Sequence, residues 1–261
     1  MAVIATPPHR RLEFLPHLPD LRAVLVEKPL GVDLDSGGEF LAQCQQRGIL
    51  VQVNYWRRAD ACFRQLAAGG LHQLIGAPQA VFGLYGNGLL NNAAHLIDFL
   101  RLLLGEVETA QALGEARPVP TGPTPENVNV PFVLRFQPGC SATFQTLSFS
   151  HYRENGLDLW GEKGRLAILQ EGLGIYYYPR QANRALLNER EVASDRPQEL
   201  QNTAGTAFYR MYDNLTAALH GGEALWSPGD SALATARVVE AVLTSATQGG
   251  LPVELSLPLA A

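Results

Sequence analysis

Ala23-Val24-Leu25-Val26-Glu27-Lys28-Pro29-Leu30 is an apolar run of four that breaks off into an acid, a base and a proline. A strand so short and so uniformly apolar fits a position buried on both faces, as in a parallel sheet. Two similar runs flank it. One covers 3–6 and is stopped by Pro7-Pro8; the other covers 49–53 and ends at Asn54. Between the second and third runs lies 35–47, where Phe40, Leu41 and Cys44 recur near helical spacing. The pattern predicts parallel strands joined by a helix, with another short helix over 10–18.

Past residue 57 the pattern changes. Helices are predicted over 60–68 and over 91–104, the second closed by Gly105 at the capping position. The stretch 106–129 is rich in proline and reads as a strand followed by a long loop. Strand-like runs follow at 130–136, 142–149, 157–160, 165–169 and 175–178. Turns such as Glu162-Lys163-Gly164 and Gly172-Leu173-Gly174 separate several of them, which points to a largely antiparallel sheet. Two helices close the chain, over 207–219 and 230–247. For the second, Ser227 is the expected N-cap, with Pro228 in the first turn and Gly249-Gly250 beyond its end.

Composition narrows the function classes. The chain has 261 residues, with 20 basic against 25 acidic side chains and a net charge of −5. No basic stripe is left for a phosphate backbone, so nucleic acid is not an expected partner. Cys44, Cys62 and Cys140 are an odd set without CxxC spacing, which argues for a reducing compartment and against a zinc site. His9 and His17 have no partners at ligand spacing, and no metal is expected. The opening residues lack the charged and apolar regions of a signal peptide. The richest apolar stretch, 96–104, is too short for a bilayer that needs about 20 apolar residues. A cytoplasmic protein without a membrane partner is expected.

Three motifs carry a resemblance. They are Ala5-Thr6-Pro7-Pro8, then Val24-Leu25-Val26-Glu27-Lys28-Pro29-Leu30, then Gly86-Asn87-Gly88-Leu89-Leu90-Asn91-Asn92-Ala93-Ala94-His95-Leu96-Ile97-Asp98. Together they resemble the glucose-fructose oxidoreductase / inositol dehydrogenase / rhizopine-catabolism (Gfo/Idh/MocA) family of NAD(P)-dependent oxidoreductases. The similarity extends to the Trp160-Gly161-Glu162-Lys163-Gly164 turn and the carboxy-terminal helix. It implies an α/β plus α+β fold. A partial Rossmann domain with a parallel sheet would cover 1–56. An α+β domain with a large, mostly antiparallel open sheet would cover 57–261 and serve substrate binding and oligomerisation.

The same resemblance implies hydride transfer between NAD or NADP and a hydroxyl carbon of a sugar, sugar nucleotide or cyclitol, by a homo-oligomer. Lys28 would sit beside the nicotinamide and the reacting carbon, where a fixed ammonium can favour alkoxide character as hydride leaves. Open α/β sheets place ligands at such strand ends. His95 matches the family's general base, and Asn91 stands four residues earlier, where the family often has aspartate. That spacing puts both side chains on one helix face. An asparagine can orient a neighbour but adds no charge to raise the imidazole's basicity. Thr6, Pro7, Pro8, Glu27, Lys28, Pro29 and Asn54 are implied on the cofactor side, and Lys28, Tyr55, Arg57, Asn91 and His95 on the substrate side. Each has a plainer alternative: a lysine held by the Pro29 turn, a core histidine, polar contacts between domains. Asp98 is expected to pair with Arg101. The asparagines of the 86–92 turn suit a polyhydroxylated ligand, because amides both donate and accept.

The residues of this chain do not include the Gly-x-Gly-x-x-Gly turn of a complete member, nor the acidic residue that follows it by about 20 residues. Roughly two βα units of about 30 residues each are unaccounted for. Losing the pyrophosphate cradle implies dinucleotide binding weaker by roughly 3–9 kcal/mol. The family often has a histidine three residues after the second proline; Arg11 occupies that place. Three readings stay open: a shortened form of a working dehydrogenase, a short variant completed by another subunit, or a degenerate member that binds or scaffolds without catalysis.

Overall fold

The computed structural model describes residues 1–119, 127–137, 139–182, 191–192 and 195–255. The chain divides into two compact units, Met1–Asp60 with Ala204–Val238, and Ala61–Thr203 with Val239–Ala261.

The first unit is built on strands β1 (Ala2–Ile4), β2 (Ala23–Val26) and β3 (Leu50–Val53), which form a parallel sheet in that order. All four residues of β2 are buried. On one face, Val24, Val26, Val51 and Val53 pack with Phe40, Leu41 and Cys44 of helix Leu34–Gln46. That helix begins at Leu34, one residue before the predicted start, where Asp33 and Ser36 form a reciprocal capping box. Each fully buried side chain of this size contributes about 1.5–3 kcal/mol.

On the other face, Ala23 and Leu25 meet Ala207, Met211 and Leu215 of helix Ala207–Leu219. The sequence reading assigned all of 57–261 to the second domain; the structure groups Ala204–Val238 with the parallel sheet. An apolar helix face does not announce which sheet it will cover, and here Ala23 and Leu25 of β2 receive it. The side chain of Gln52 adds a tie, donating through Nε2 to the carbonyl of Met211 at 2.6 Å. Ser227 does not cap the following helix, Gly229–Thr247: its Oγ is buried without a partner. Its carbonyl instead accepts from the backbone N–H of Val53 at 2.9 Å, so Ser227 extends the edge of β3.

The second unit holds a large mixed sheet. Its strands are β4 (Pro78–Tyr85), β5 (Val107–Ala112), β8 (Phe132–Phe136), β9 (Ser141–Thr146), β10 (Gly156–Gly161), β11 (Gly164–Leu169), β12 (Gly174–Gln181), β13 (Glu191–Val192), β14 (Gln198–Glu199) and β15 (Val253–Glu254). The order is β13-β12-β11-β10-β4-β9-β8-β5-β15, with β14 beside β12. The intervening β6 (Arg117–Pro118) and β7 (Val128–Asn129) pair with each other. Within the large sheet only β4 and β9 run parallel, among the described residues; the other pairs are antiparallel. The central β4 was not anticipated. Val81 and Tyr85 point inward, but Phe82 and Leu84 on the outer face are apolar too, so no alternation shows in the sequence. On the inner face, Phe132 and Phe144 stack at 4.5 Å between ring centroids. Helix Ala94–Leu104 buries Leu96, Ile97, Phe99 and Leu100.

Candidate active site

The C-terminal ends of β1, β2 and β3 converge on a knot of polar groups. Backbone bonds continue past the strands: Glu27 N–H donates to Ile4 O at 3.1 Å and Asn54 N–H to Val26 O at 2.8 Å. The side chains then interlock. Asn54 Nδ2 donates to Glu27 Oε1 at 2.8 Å, which places an acid beside Lys28 and fixes its direction. Lys28 is half-buried and joined to Pro29 by a cis peptide bond. Burial pushes its ammonium down to about 8 from an ordinary 10.5; Glu27 opposes the shift and Arg57 adds to it. A lysine so placed exchanges its proton near neutral pH, which suits acid–base work at a reacting oxygen.

The residue that organises this knot is Arg11, which sequence reading noted only as a departure. Its side chain is 1% exposed. Nη1 donates to the carbonyls of Pro29 and, at 2.8 Å, of Leu30, while Nη2 lies 3.5 Å from the carbonyl of Thr6. One guanidinium thus ties the Thr6-Pro7-Pro8 turn to the turn that carries Lys28. Burial lowers the Arg11 pKa to about 10, with Glu27 opposing that shift. The sequence offered one signal, an arginine where a histidine is common, but its acceptors are main-chain carbonyls 18 and 19 residues away.

Three polar atoms in this region are buried and unpartnered: Thr6 Oγ1, Arg11 Nε and Asn54 Oδ1. An orphaned buried group of this kind costs about 1–3 kcal/mol unless a ligand or water meets it. An acceptor and a hydroxyl at the ends of parallel strands fit the carboxamide and ribose hydroxyls of a nicotinamide nucleoside. No counterpart of the pyrophosphate cradle is present in the sequence.

The other anticipated residues divide between the units. In the first, Pro7 is exposed and Pro8 opens a short 3-10 turn, Pro8–Arg10. Tyr55 is 3% exposed and packs in the hydrophobic cluster of β2 and β3. Arg57 is equally buried, its guanidinium 4.4 Å from the Trp56 ring centroid. Asn91 and His95 belong to the second unit, both half-buried. Asn91 lies in a π-helical turn, Leu89–Ala93, and His95 in the first turn of helix Ala94–Leu104.

The turn that leads to them is held by amides. Asn127 Oδ1 accepts from Leu90 N–H at 3.0 Å, and its Nδ2 donates to Asn87 O at 2.9 Å. Asn129 Oδ1 accepts from Gly88 N–H at 2.9 Å, and Asn92 Nδ2 donates to Gly86 O at 2.9 Å. Asn92 therefore braces the backbone, whereas the sequence reading had offered the amides of this turn to a ligand. Gly88 has φ +93°, and a Cβ there would meet the Asn127 side chain at about 2 Å, so no larger residue fits. Further along the helix, Arg101 lies 3.8 Å from Asp98 and pairs more closely with Glu106 at 2.6 Å.

Comparison with known proteins follows the same outline. A family model described as "Oxidoreductase family, C-terminal alpha/beta domain" matches residues 85–255, well over half of the chain. A trans-1,2-dihydrobenzene-1,2-diol dehydrogenase from Oryctolagus cuniculus is 29% identical over 166 residues, 57% of this chain and 49% of that protein. The match thus spans about half the length of that curated relative. Among solved structures, a putative NADPH-dependent oxidoreductase from Desulfitobacterium hafniense superposes with a TM-score of 0.77 at 17% identity, over 97% of this chain and 79% of that one. The WlbA dehydrogenase from Bordetella pertussis, in complex with NADH and UDP-GlcNAcA, gives 0.69 at 18% identity, over 98% and 79%. At these identities the likeness is one of fold.

Proposed function

The chain belongs to the oxidoreductase family whose C-terminal alpha/beta domain it carries, and from that premise we propose that it transfers a hydride between NAD or NADP and a hydroxyl carbon of a sugar, sugar nucleotide or cyclitol. The observation that carries this reading is Lys28, held half-buried at a strand end beside Glu27 and beneath the Arg11 clamp. When bound, the nicotinamide supplies the hydride acceptor. Thr6 Oγ1 and Asn54 Oδ1 would hold it, with Pro7, Pro8, Glu27 and Pro29 shaping the walls. Lys28 donates an N–H to the substrate oxygen and stabilises the charge that grows there. His95 takes the hydroxyl proton, and Asn91 orients the imidazole or the substrate. Tyr55 and Arg57, both 3% exposed, would back the substrate side rather than line it, Arg57 chiefly by keeping the Lys28 proton labile.

Titration of the 261-residue chain with NADH and NADPH tests this, followed by turnover with a panel of sugars and cyclitols. Saturable binding, with turnover abolished in a Lys28→Ala, His95→Ala double variant, is the expected result. No binding up to millimolar cofactor, or undiminished turnover in the double variant, would overturn it.

Two coarser inferences accompany the reading. Phe82 is 55% and Leu84 40% exposed on the outer face of β4, next to Trp160 of β10. An apolar stripe of this kind marks an interaction surface, and a homo-oligomer through this face is our reading. Light scattering would give a multiple of 28.3 kDa for the native chain and a monomer for Phe82→Glu. No helix among the described residues is long and apolar enough to cross a membrane. The three cysteines are free thiols, which fits a reducing compartment such as the cytoplasm.

A further inference from the structure

The second unit carries another polar depression, outside the strand-end knot. A cleft of about 420 Å³ opens beside the 86–92 turn, lined among others by Asn87, Arg117, Asn129, Ser148, Phe149 and Ser150. Its size lies in the range of roughly 300–1,000 Å³ usual for small-ligand sites. The lining chemistry is mixed in a specific way. Two amides and the hydroxyls of Thr146, Ser148 and Ser150 supply donors and acceptors, and the half-buried Phe149 ring supplies an apolar plate. Such a combination suits a compact polyol, with hydroxyls on its edges and C–H groups on its face.

One feature narrows the ligand further. Arg117 is exposed and makes no hydrogen bond or ion pair among the described residues, and none of the described residues lining the cleft is acidic. Another cation stands close by: the Arg153 guanidinium lies 5.8 Å from the Phe149 ring centroid. It is already neutralised by Glu171, whose Oε1 accepts from its Nε at 2.5 Å. Among the described residues Arg117 is therefore the uncompensated charge at the cleft, in a chain whose net charge is −5. A guanidinium matches a carboxylate through two parallel N–H donors, which a neutral hydroxyl cannot reproduce.

Parts of the wall are held by the fold itself. Asn87 has φ +59°, and its carbonyl accepts from Asn127. Asn129 uses its Oδ1 on Gly88 N–H, while its Nδ2 makes no hydrogen bond among the described residues. Ser148 Oγ and Ser150 Oγ lie 2.7 Å apart, so they share one proton and keep the other for a partner. Preorganised donors of this kind lower the ordering cost of binding.

We propose that this cleft binds a sugar acid, with Arg117 forked onto its carboxylate and Asn87, Asn129 and the serine pair on its hydroxyls. Only the statement that this ligand is the substrate rests on the hydride-transfer reading; binding stands apart from it. The test is calorimetry of the native chain with glucuronate and with glucose, repeated for Arg117→Gln and Arg117→Lys. Arg117 is exposed, so neither variant threatens the fold. Glucuronate should bind at least tenfold tighter than glucose. Arg117→Gln should remove that preference, and Arg117→Lys should restore part of it. Equal binding of the two sugars, absence of binding by either, or a preference that survives Arg117→Gln would overturn the proposal. The same titration on Lys28→Met separates the two ideas: Arg117-dependent binding without turnover in any variant sinks the hydride-transfer reading alone.

Discussion

The knot at the strand ends and the turn before His95 hold their backbones in opposite ways. At the strand ends a buried guanidinium grips the carbonyls of Pro29 and Leu30, next to an acid and a lysine. At the 86–92 turn neutral amides do the work, Asn127, Asn129 and Asn92 each meeting main-chain groups. Charges buried together couple the geometry to pH; amides do not titrate and give a geometry indifferent to it. The contrast matches a division of labour in which one region tunes a proton and the other presents fixed groups.

Substitutions at four positions break or sharpen that contrast. Arg11→Ala should have the largest effect, about 2–4 kcal/mol of lost stability in urea unfolding, because it strips charge-assisted bonds from buried carbonyls. Arg11→Lys should recover part of the loss; a native-like midpoint for the alanine variant would remove Arg11 from its organising role. Gly88→Ala comes next, at about 1–3 kcal/mol, from strain at φ +93° and collision with Asn127. Its cost should stay constant between pH 6 and 10, and a strong pH dependence would contradict the amide account.

Lys28→Met should stabilise the fold by about 1–2 kcal/mol at pH 7, since it removes a half-buried charge. The sign follows from linkage. A lysine depressed to about 8 when folded binds fewer protons than the unfolded chain between pH 8 and 10.5, so native stability rises across that window. The methionine variant's advantage should therefore be full below pH 8 and fade as pH climbs toward 10.5. Arg10→Ala should do least: its bond to Glu13 is solvent-exposed, and thermal melts should stay within about 1 °C.

Strand β2 and helix Leu34–Gln46 were legible because their signals are local: an unbroken apolar run, and Phe40, Leu41 and Cys44 recurring at helical spacing. Strand β4 was not, because Phe82 and Leu84 hide its alternation by facing an open surface. The Lys28 and His95 positions could be named from motifs, and Asn54 from its place after the third strand. Arg11 could not be given its role, since side chain to main-chain bonds across 18 residues leave no pattern. The same holds for Asn127, which reaches Asn87 and Leu90 from 40 and 37 residues away. Ser227 shows the converse: a good capping residue whose carbonyl is taken by a neighbouring strand.

The chain contains two lysines, Lys28 and Lys163, so carbon-13 labelling at lysine Cε gives two resonances, assignable with Lys163→Arg. Titration of that signal by NMR, without and with NADH, tests the central claim most directly. The account predicts a Lys28 midpoint near 8 that moves when NADH is added and rises toward 10.5 in Arg11→Ala. A midpoint near 10.5 in the native chain, unmoved by NADH, would contradict it.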